Sequence, residues 1–183
     1  MKIRQLLCLS FMAAVLAVAP FAVPAQDPAL TLENIYSKRA FGQRGFGPVR
    51  WLKDSKGYST VESNRAAGGR EIIRYDAATG ERTVLVSAKQ LIPAGGKAPL
   101  EIADYIWSDD NSQLLVFTNA KKVWRYNTRG DYWVLNLRTG KLQQLGKGLE
   151  ASTLMFAKFS PDGTRVGYVS KQNIYVEDIA TSR

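Results

Sequence analysis

The stretch Tyr105-Ile-Trp-Ser-Asp-Asp-Asn-Ser-Gln-Leu-Leu-Val-Phe117 predicts two short antiparallel strands joined by a tight bend. A polar segment, residues 108–112, separates an aromatic strand end from an apolar run, which is the pattern of a strand, a turn and a strand. Residues 131–137 form another apolar run, and Arg138-Thr-Gly-Lys141 supplies a second turn before residues 142–145. The sequence therefore predicts a meander of four strands over residues 105–145.

The same plan occurs before and after this stretch. Trp51, Trp107 and Phe159 stand at matching positions, 56 and 52 residues apart. Such an interval is typical of one four-stranded blade of a β-propeller. We predict an all-β fold, a partial β-propeller of about three four-stranded antiparallel blades. The blades are expected at about residues 49–86, 105–145 and 155–183, within a propeller domain at 49–183 and after a lead-in segment at 26–48.

Three blades are fewer than a closed propeller needs, since closure commonly takes four to eight. The favoured interpretation is a fragment of a longer protein, and completion of the ring by partner chains is the alternative. Inside the blades, residues 62–71 and 118–130 are expected to be connections between strands, and residues 87–100 a linker between blades. Residues 30–36 could form a short helix or a strand, and their apolar residues do not decide between the two.

Residues 1–25 have the pattern of a secretory signal peptide. Met-Lys-Ile-Arg is positive, residues 6–23 are almost wholly apolar, and Val23-Pro-Ala25 suits cleavage after Ala25. An uncleaved anchor is the alternative, because the apolar run is about long enough to span a bilayer. We expect an exported protein that is periplasmic or secreted, and association with the envelope is left open. The membrane is expected as a partner only if the segment is not cleaved.

The chemistry available to the chain is narrow, because the sequence contains no histidine and one cysteine, Cys8, inside the predicted signal peptide. Ser-His-Asp and Cys-His catalysis within these residues is thereby excluded, as are the usual zinc sites. We expect no cofactor and no metal. The carboxylates of Asp109, Asp110 and Asp162 are expected to accept backbone hydrogen bonds in turns, rather than to bind calcium.

The formal net charge is +9, and removing Lys2 and Arg4 leaves about +7. These charges are spread along the chain with no run of more than two basic residues, which favours a soluble basic surface over binding to nucleic acid. The basic and aromatic segment 118–130 stands out, since long propeller loops commonly meet ligands. Arg125, between Trp124 and Tyr126, could donate two hydrogen bonds from its guanidinium to a carbonyl or carboxylate group. Taken alone, however, it is more simply interpreted as an arginine that lies on the surface or stacks on an aromatic ring.

Several pieces of the chain together resemble a known family. They are residues 32–36, 46–51 and 107–110, Lys122-Val-Trp-Arg-Tyr126 with residues 131–137, and Phe159-Ser-Pro-Asp-Gly163. From residue 31 to residue 179 the chain resembles the N-terminal part of the β-propeller of dipeptidyl peptidase IV, in the bacterial branch of the prolyl oligopeptidase-type serine peptidases. The Lys-Val-Trp-Arg-Tyr piece is the specific one, because many periplasmic propellers share Ser-Pro-Asp-Gly.

The resemblance implies a substrate-binding role for Arg125, whose counterpart in that family helps hold the substrate backbone. It implies a parent enzyme that removes N-terminal dipeptides after proline or alanine through a serine acyl-enzyme. The catalytic serine, aspartate and histidine would come from a C-terminal α/β-hydrolase domain, and no catalytic residue is expected in this chain. Peptide substrate and hydrolase domain are the implied partners, with a homodimer left open for the full-length protein.

Two other classes of function stay open from the sequence. A free-standing periplasmic propeller that docks other proteins would share the blade repeat without any catalysis. A basic, surface-adhering module is the third, and its binding should weaken steeply with salt.

Overall fold

The computed structural model describes residues 30–42 and 47–182, which belong to two units divided after residue 45. In the first unit, Glu33–Ser37 forms a short π-helix, so the helical alternative holds for this segment. The predicted signal peptide and Cys8 lie outside the described residues. In the described ranges, no helix has both the length and the apolar character needed to cross a membrane.

The described part of the second unit consists of three antiparallel sheets, in each of which every strand pairs with the next along the chain. The first sheet contains β1 (Val49–Trp51), β2 (Gly57–Asn64), β3 (Gly69–Asp76) and β4 (Arg82–Val86). The second contains β5 (Asp104–Trp107), β6 (Gln113–Val123), β7 (Tyr126–Asn136) and β8 (Leu142–Gln144). The third contains β9 (Met155–Phe159), β10 (Arg165–Ser170) and β11 (Asn173–Asp178). The predicted fold class, a partial propeller of antiparallel blades, is confirmed.

The three aromatic residues that set the repeat occupy equivalent positions, because each is the last residue of the first strand of its sheet. Trp107 and Phe159 are partly buried and pack against the cores between sheets. Trp51 contacts Tyr58 edge-on at 5.9 Å between ring centroids, yet 67% of it remains exposed. The repeat in the sequence therefore corresponds to a repeat in topology, with different burial in the first blade.

The second sheet has core residues on both of its faces. Alternate side chains of a strand point to opposite faces, so Leu114 and Val116 join the core that includes Ile72 and other residues of the first sheet. Leu115 and Phe117 join the core shared with the third sheet. Burial of each such side chain stabilises the fold by roughly 1.5–3 kcal/mol. Packing on both faces explains why this strand is a continuous apolar run instead of an alternating one.

Two of the three aspartates that were predicted to accept hydrogen bonds in turns do so, Asp110 and Asp162. Asp110 accepts the Ser108 hydroxyl at 2.7 Å and the Ser112 N–H at 3.0 Å, and these bonds lower its pKa to about 2. Asp162 accepts the matching bonds from Ser160 and Thr164, and its pKa is likewise lowered to about 2.

For Asp109 the prediction of a turn acceptor is wrong. Its carboxylate lies 2.5 Å from the Lys53 ammonium group, so it links the second sheet to the first.

The connection predicted at 62–71 is also wrong, because β2 and β3 continue through it to a short turn at 65–68. The charged residues there lie across from one another on paired strands, Glu62 opposite Glu71 among them. The linker before β5 contains a 3-10 helix, Ala88–Leu91.

Candidate functional site

Residues 118–130, predicted as an irregular connection, form a hairpin arm instead. β6 and β7 continue past the body of the second sheet and are joined by a two-residue turn, Trp124–Arg125, closed by the pair Val123–Tyr126. The prediction was wrong because most of this segment is exposed on both faces, so no apolar alternation marks it as strand. Its β-branched and aromatic residues nevertheless favour extended backbone.

The turn places Arg125 at the tip of the hairpin arm. Trp124, the first residue of the turn, has a φ of +59°, the sign that primed hairpin turns require there. Glycine or asparagine usually takes such a position, and a bulky residue in it costs roughly 1–3 kcal/mol. Trp124 and Tyr126 are 94% and 73% exposed, so Arg125 projects from between two solvated aromatic rings.

Two β-bulges shape the hairpin arm. β6 has an extra residue between Thr118 and Lys121, whose partners on β7 are Asp131 and Arg129. β7 then has an extra residue of its own, Thr128, and this second bulge restores the register toward the tip. Bulges increase twist and change the direction of side chains, and they are common beside functional sites.

Hydrogen bonds fix the base of the hairpin arm to the segment that precedes β9. Gly130 and Leu154 exchange backbone bonds, with N–H to O distances of 3.0 and 3.1 Å. Asp131 accepts the Ser152 N–H at 2.7 Å and the Asn119 side-chain amide at 2.8 Å. The Ser152 hydroxyl donates to the Asn119 carbonyl at 2.9 Å. Because each bond contributes about 0.5–1.5 kcal/mol, the base is held far more firmly than the exposed tip.

The hairpin arm is strongly basic. Residues 118–130 contain no carboxylate, and they contain Lys121, Lys122, Arg125 and Arg129. Arg125 forms no hydrogen bond or ion pair with another residue in the part of the chain that the structure describes. All five of its guanidinium N–H donors are therefore available to a ligand, and carbonyl or carboxylate oxygens are the acceptors that suit them.

A second polar cluster joins the first and second sheets. Arg50 donates to both oxygens of Asp104 at 2.7 and 2.9 Å, and its guanidinium lies 5.7 Å from the centre of the Tyr105 ring. Ser59, fully buried, accepts the Trp107 indole N–H at 2.9 Å and lies 2.8 Å from the Tyr105 hydroxyl. These bonds fix the orientation of β5, which lies next to β6 and thus next to the hairpin arm.

Stacked antiparallel sheets that share cores and repeat along the chain define a β-propeller, and an exposed basic arm on its second blade is the candidate ligand-binding feature. Residues 108–183, which include the whole hairpin arm, match the family described as the dipeptidyl peptidase IV (DPP IV) N-terminal region. The resemblance found in the sequence, to the N-terminal propeller part of dipeptidyl peptidase IV, is thereby confirmed.

Relatives extend the match beyond that region. A probable dipeptidyl-aminopeptidase B of Aspergillus oryzae is 25% identical over 146 residues, 76% of this chain and 15% of the relative. The protein of the same name from Chaetomium globosum is 22% identical over 185 residues, 88% of this chain and 20% of the relative. The chain thus spans about a fifth or less of the length of these relatives.

Solved structures agree on the fold. The crystal structure of Porphyromonas gingivalis dipeptidyl peptidase 4 superposes with a TM-score of 0.68 at 24% identity, covering 86% of this chain and 21% of that one. An oligogalacturonate lyase from Vibrio parahaemolyticus gives a TM-score of 0.50 at 18% identity, covering 73% of this chain and 36% of that one. Because the second protein is named for a different activity, likeness of the propeller alone does not assign a function.

Proposed function

We propose that this chain is the substrate-orienting part of an exported serine dipeptidyl peptidase, which removes N-terminal dipeptides after proline or alanine. Arg125 binds the peptide backbone, and an α/β-hydrolase domain outside this sequence cleaves it. The observation that carries the proposal is the hairpin arm, which lies inside the matched DPP IV N-terminal region and presents an arginine with free donors at its tip.

The geometry suits positioning rather than bond cleavage. A guanidinium that donates to a peptide carbonyl restricts the peptide to one orientation, and correct placement of the reacting groups supplies much of an enzyme's rate enhancement. The base of the hairpin arm is already ordered by its bonds to Ser152 and Leu154, so less conformational entropy is lost when a peptide binds.

The test uses the full-length protein that includes this region. Arg125→Ala is compared with the parent on a Gly-Pro-anilide substrate, and Arg138→Ala is the matched control, since Arg138 is an exposed arginine in the β7–β8 turn of the same sheet. A hydrogen bond to a charged donor contributes about 1.5–3 kcal/mol, so kcat/KM should fall roughly 10- to 150-fold for Arg125→Ala. Arg125→Lys should recover little of the lost kcat/KM, because an ammonium group cannot donate two hydrogen bonds in one plane as a guanidinium does.

An unchanged kcat/KM in Arg125→Ala, or an equal loss in Arg138→Ala, would remove Arg125 from the proposed site. The coding sequence after codon 183 supplies an independent test of the parent enzyme. An in-frame Gly-x-Ser-x-Gly segment supports the peptidase, whereas its absence favours a free-standing binding propeller. Export is tested by following the N-terminal residue of the protein recovered outside the cytoplasm, which should be Gln26 if residues 1–25 are cleaved.

A further inference from the structure

A cleft of about 450 Å³ lies at the base of the hairpin arm, where β7 approaches the third sheet. It is lined by β7, by the segment that precedes β9, by β9 itself and by the turn between β10 and β11. The lining residues are Arg129, Glu150, Thr153, Met155, Lys171 and Gln172. Met155 is the single apolar side chain among these six, so the cleft suits a polar or charged ligand.

Three cations lie in or beside this cleft. Arg129 lies directly opposite Lys121 on the paired strand, so the two side chains share one face of the hairpin arm. Like charges in such a cross-strand pair repel each other, which is a cost to the free protein. Lys171 lines the same cleft from the third sheet. None of the three cations forms an ion pair or a side-chain hydrogen bond with another residue in the described ranges.

The carboxylate in the lining does not neutralise these cations. Glu150 is exposed, and among the described residues it has no ion-pair partner. Three cations against one carboxylate leave a net charge of +2 at the cleft. A bound anion would therefore relieve the repulsion between Lys121 and Arg129, and it would also be attracted by Lys171.

Hydrogen bonds hold one wall of the cleft in place. The Thr153 hydroxyl donates to the Glu150 carbonyl at 2.6 Å. Leu154 exchanges backbone bonds with Gly130, the neighbour of Arg129 in β7. The segment before β9 is thus tied both to itself and to the base of the hairpin arm, so little ordering remains to be done when a ligand binds.

The turn that carries Lys171 is the counterpart of the tip of the hairpin arm. Each of these turns joins the second and third strands of its sheet, and the turn in the third sheet is closed by the pair Ser170–Asn173. Lys171 and Gln172 have φ values of +47° and +69°, as a type I′ turn requires. Asparagine followed by glycine is the usual choice in such a turn, so a lysine is kept there at a conformational cost.

We propose that this cleft is an anion subsite, which binds a carboxylate in the part of the peptide that follows the cleaved bond. The inference rests on the proposed function, which places the backbone of the first residues of the peptide at Arg125. The net positive charge and the two lining cations favour a carboxylate over a neutral or cationic group.

The distance from Arg125 determines which part of the peptide reaches the cleft. Arg129 follows Arg125 by four residues, a separation of about 14 Å along an extended strand. Two residues precede the cleaved bond when a dipeptide is released, and two extended residues span at most about 7 Å. The group that reaches the cleft therefore belongs to the leaving part of the peptide, about four residues after the residue held at Arg125.

The experiment measures kcat/KM of the full-length protein on four hexapeptides at low ionic strength. Three of them are C-terminal amides, Gly-Pro-Gly-Gly-Glu-Gly, Gly-Pro-Gly-Gly-Gln-Gly and Gly-Pro-Gly-Gly-Lys-Gly, and the fourth is the Gln peptide with a free C-terminal carboxylate. The Glu amide should exceed the Gln amide roughly 3- to 10-fold, because partly exposed ion pairs contribute modestly. The Lys amide should be the poorest substrate. The advantage should shrink at about 0.5 M salt, which screens exposed charges.

The two carboxylate-bearing peptides distinguish the sources of the anion. An advantage of the Glu amide assigns the subsite to an acidic side chain, whereas an advantage of the free-acid Gln peptide assigns it to the peptide's own C-terminus. Either result supports the anion subsite.

Variants then assign the preference to the cleft. Arg129→Gln and Lys171→Asn each remove one cation, and asparagine suits the positive φ at residue 171. Each should lower the ratio of the preferred anionic peptide to the Gln amide roughly 2- to 5-fold. Lys141→Gln is the matched control, since Lys141 is an exposed lysine in the β7–β8 turn of the same sheet, and the ratio should not change. Thermal unfolding of each variant checks that it is folded.

The outcomes separate this inference from the function on which it rests. Arg125→Ala should lower kcat/KM for all four peptides by a similar factor, and no effect there contradicts the proposed function. Equal kcat/KM for all four peptides in the parent, or an equal fall of the ratio in Lys141→Gln, overturns the anion subsite alone. If the full-length protein cleaves none of the peptides, calorimetric titration with the same four peptides decides, and equal affinities overturn the subsite.

Discussion

Replacing Gly130 with alanine perturbs the point at which the hairpin arm leaves the second sheet. A Cβ atom at this position would overlap the ring of Phe117 and would lie 2.7 Å from the Thr118 carbonyl oxygen. Phe117 has little freedom to move, because it is 8% exposed and packs on Tyr132. The backbone of Gly130 is also constrained, since both its N–H and its carbonyl are bonded to Leu154.

The expected cost follows from these two constraints. Forcing a methyl group into a packed site costs about 1–3 kcal/mol. A backbone shift that relieves the overlap would weaken two hydrogen bonds of about 0.5–1.5 kcal/mol each. The free energy of unfolding should therefore fall by about 2–4 kcal/mol, equivalent to a decrease in Tm of about 5–15 °C for a domain of this size.

Urea unfolding followed by tryptophan fluorescence measures the change, with Gly140→Ala as the control. Gly140 has a φ of +71° with no atom within 4 Å of the added Cβ, so it reports backbone strain alone, about 1–2 kcal/mol. Combining Gly130→Ala with Phe117→Leu should recover part of the loss, because the smaller side chain removes the overlap. A cost no greater than that of Gly140→Ala, or a double variant whose two costs simply add, would refute the steric explanation.

Two further predictions concern buried hydroxyl groups. Ser59→Ala leaves the indole N–H of Trp107 without its acceptor, and the free energy of unfolding should fall by about 1–3 kcal/mol in urea titrations; no measurable loss would mean that the bond contributes nothing net. Burial and the neighbouring Glu177 carboxylate raise the pKa of Tyr168 to about 12 from its ordinary value near 10. The folded state thus favours the neutral phenol, and its contribution to stability, complete below pH 10, should be lost as the pH rises toward 12. In Tyr168→Phe the fall in stability over this pH range should be smaller, and an identical pH dependence would contradict the raised pKa.

The blade repeat could be predicted because each blade carries its signals locally. An aromatic residue ends the first strand, a polar turn with an aspartate follows, and an apolar run begins the second strand, as in Trp107, Asp110 and Leu114. Turn chemistry and strand propensity act over a few residues, so a sequence displays them directly.

The hairpin arm could not be predicted in the same way. Its register depends on two bulges and on the pairing of Gly130 with Leu154, a contact between residues 24 positions apart. Nothing in the local pattern of residues 118–130 distinguishes an exposed strand from a loop, since neither face is uniformly apolar. Asp109 is a similar case, because its partner Lys53 lies in the β1–β2 turn of another blade.

The same distinction determines how strongly each feature supports a function. Propeller sheets recur in proteins named for unrelated activities, so the fold contributes little to the choice between a peptidase and a binding module. The hairpin arm contributes more, because the positive φ of Trp124 is costly for a surface with no ligand, and this turn presents the unengaged Arg125 at the tip. Backbone strain of this kind persists only where the surrounding structure enforces it, and the pairing of Val123 with Tyr126 closes the turn that contains Trp124. Substitutions in the hairpin arm, and not further comparison of folds, are therefore the experiments that discriminate between the two functions.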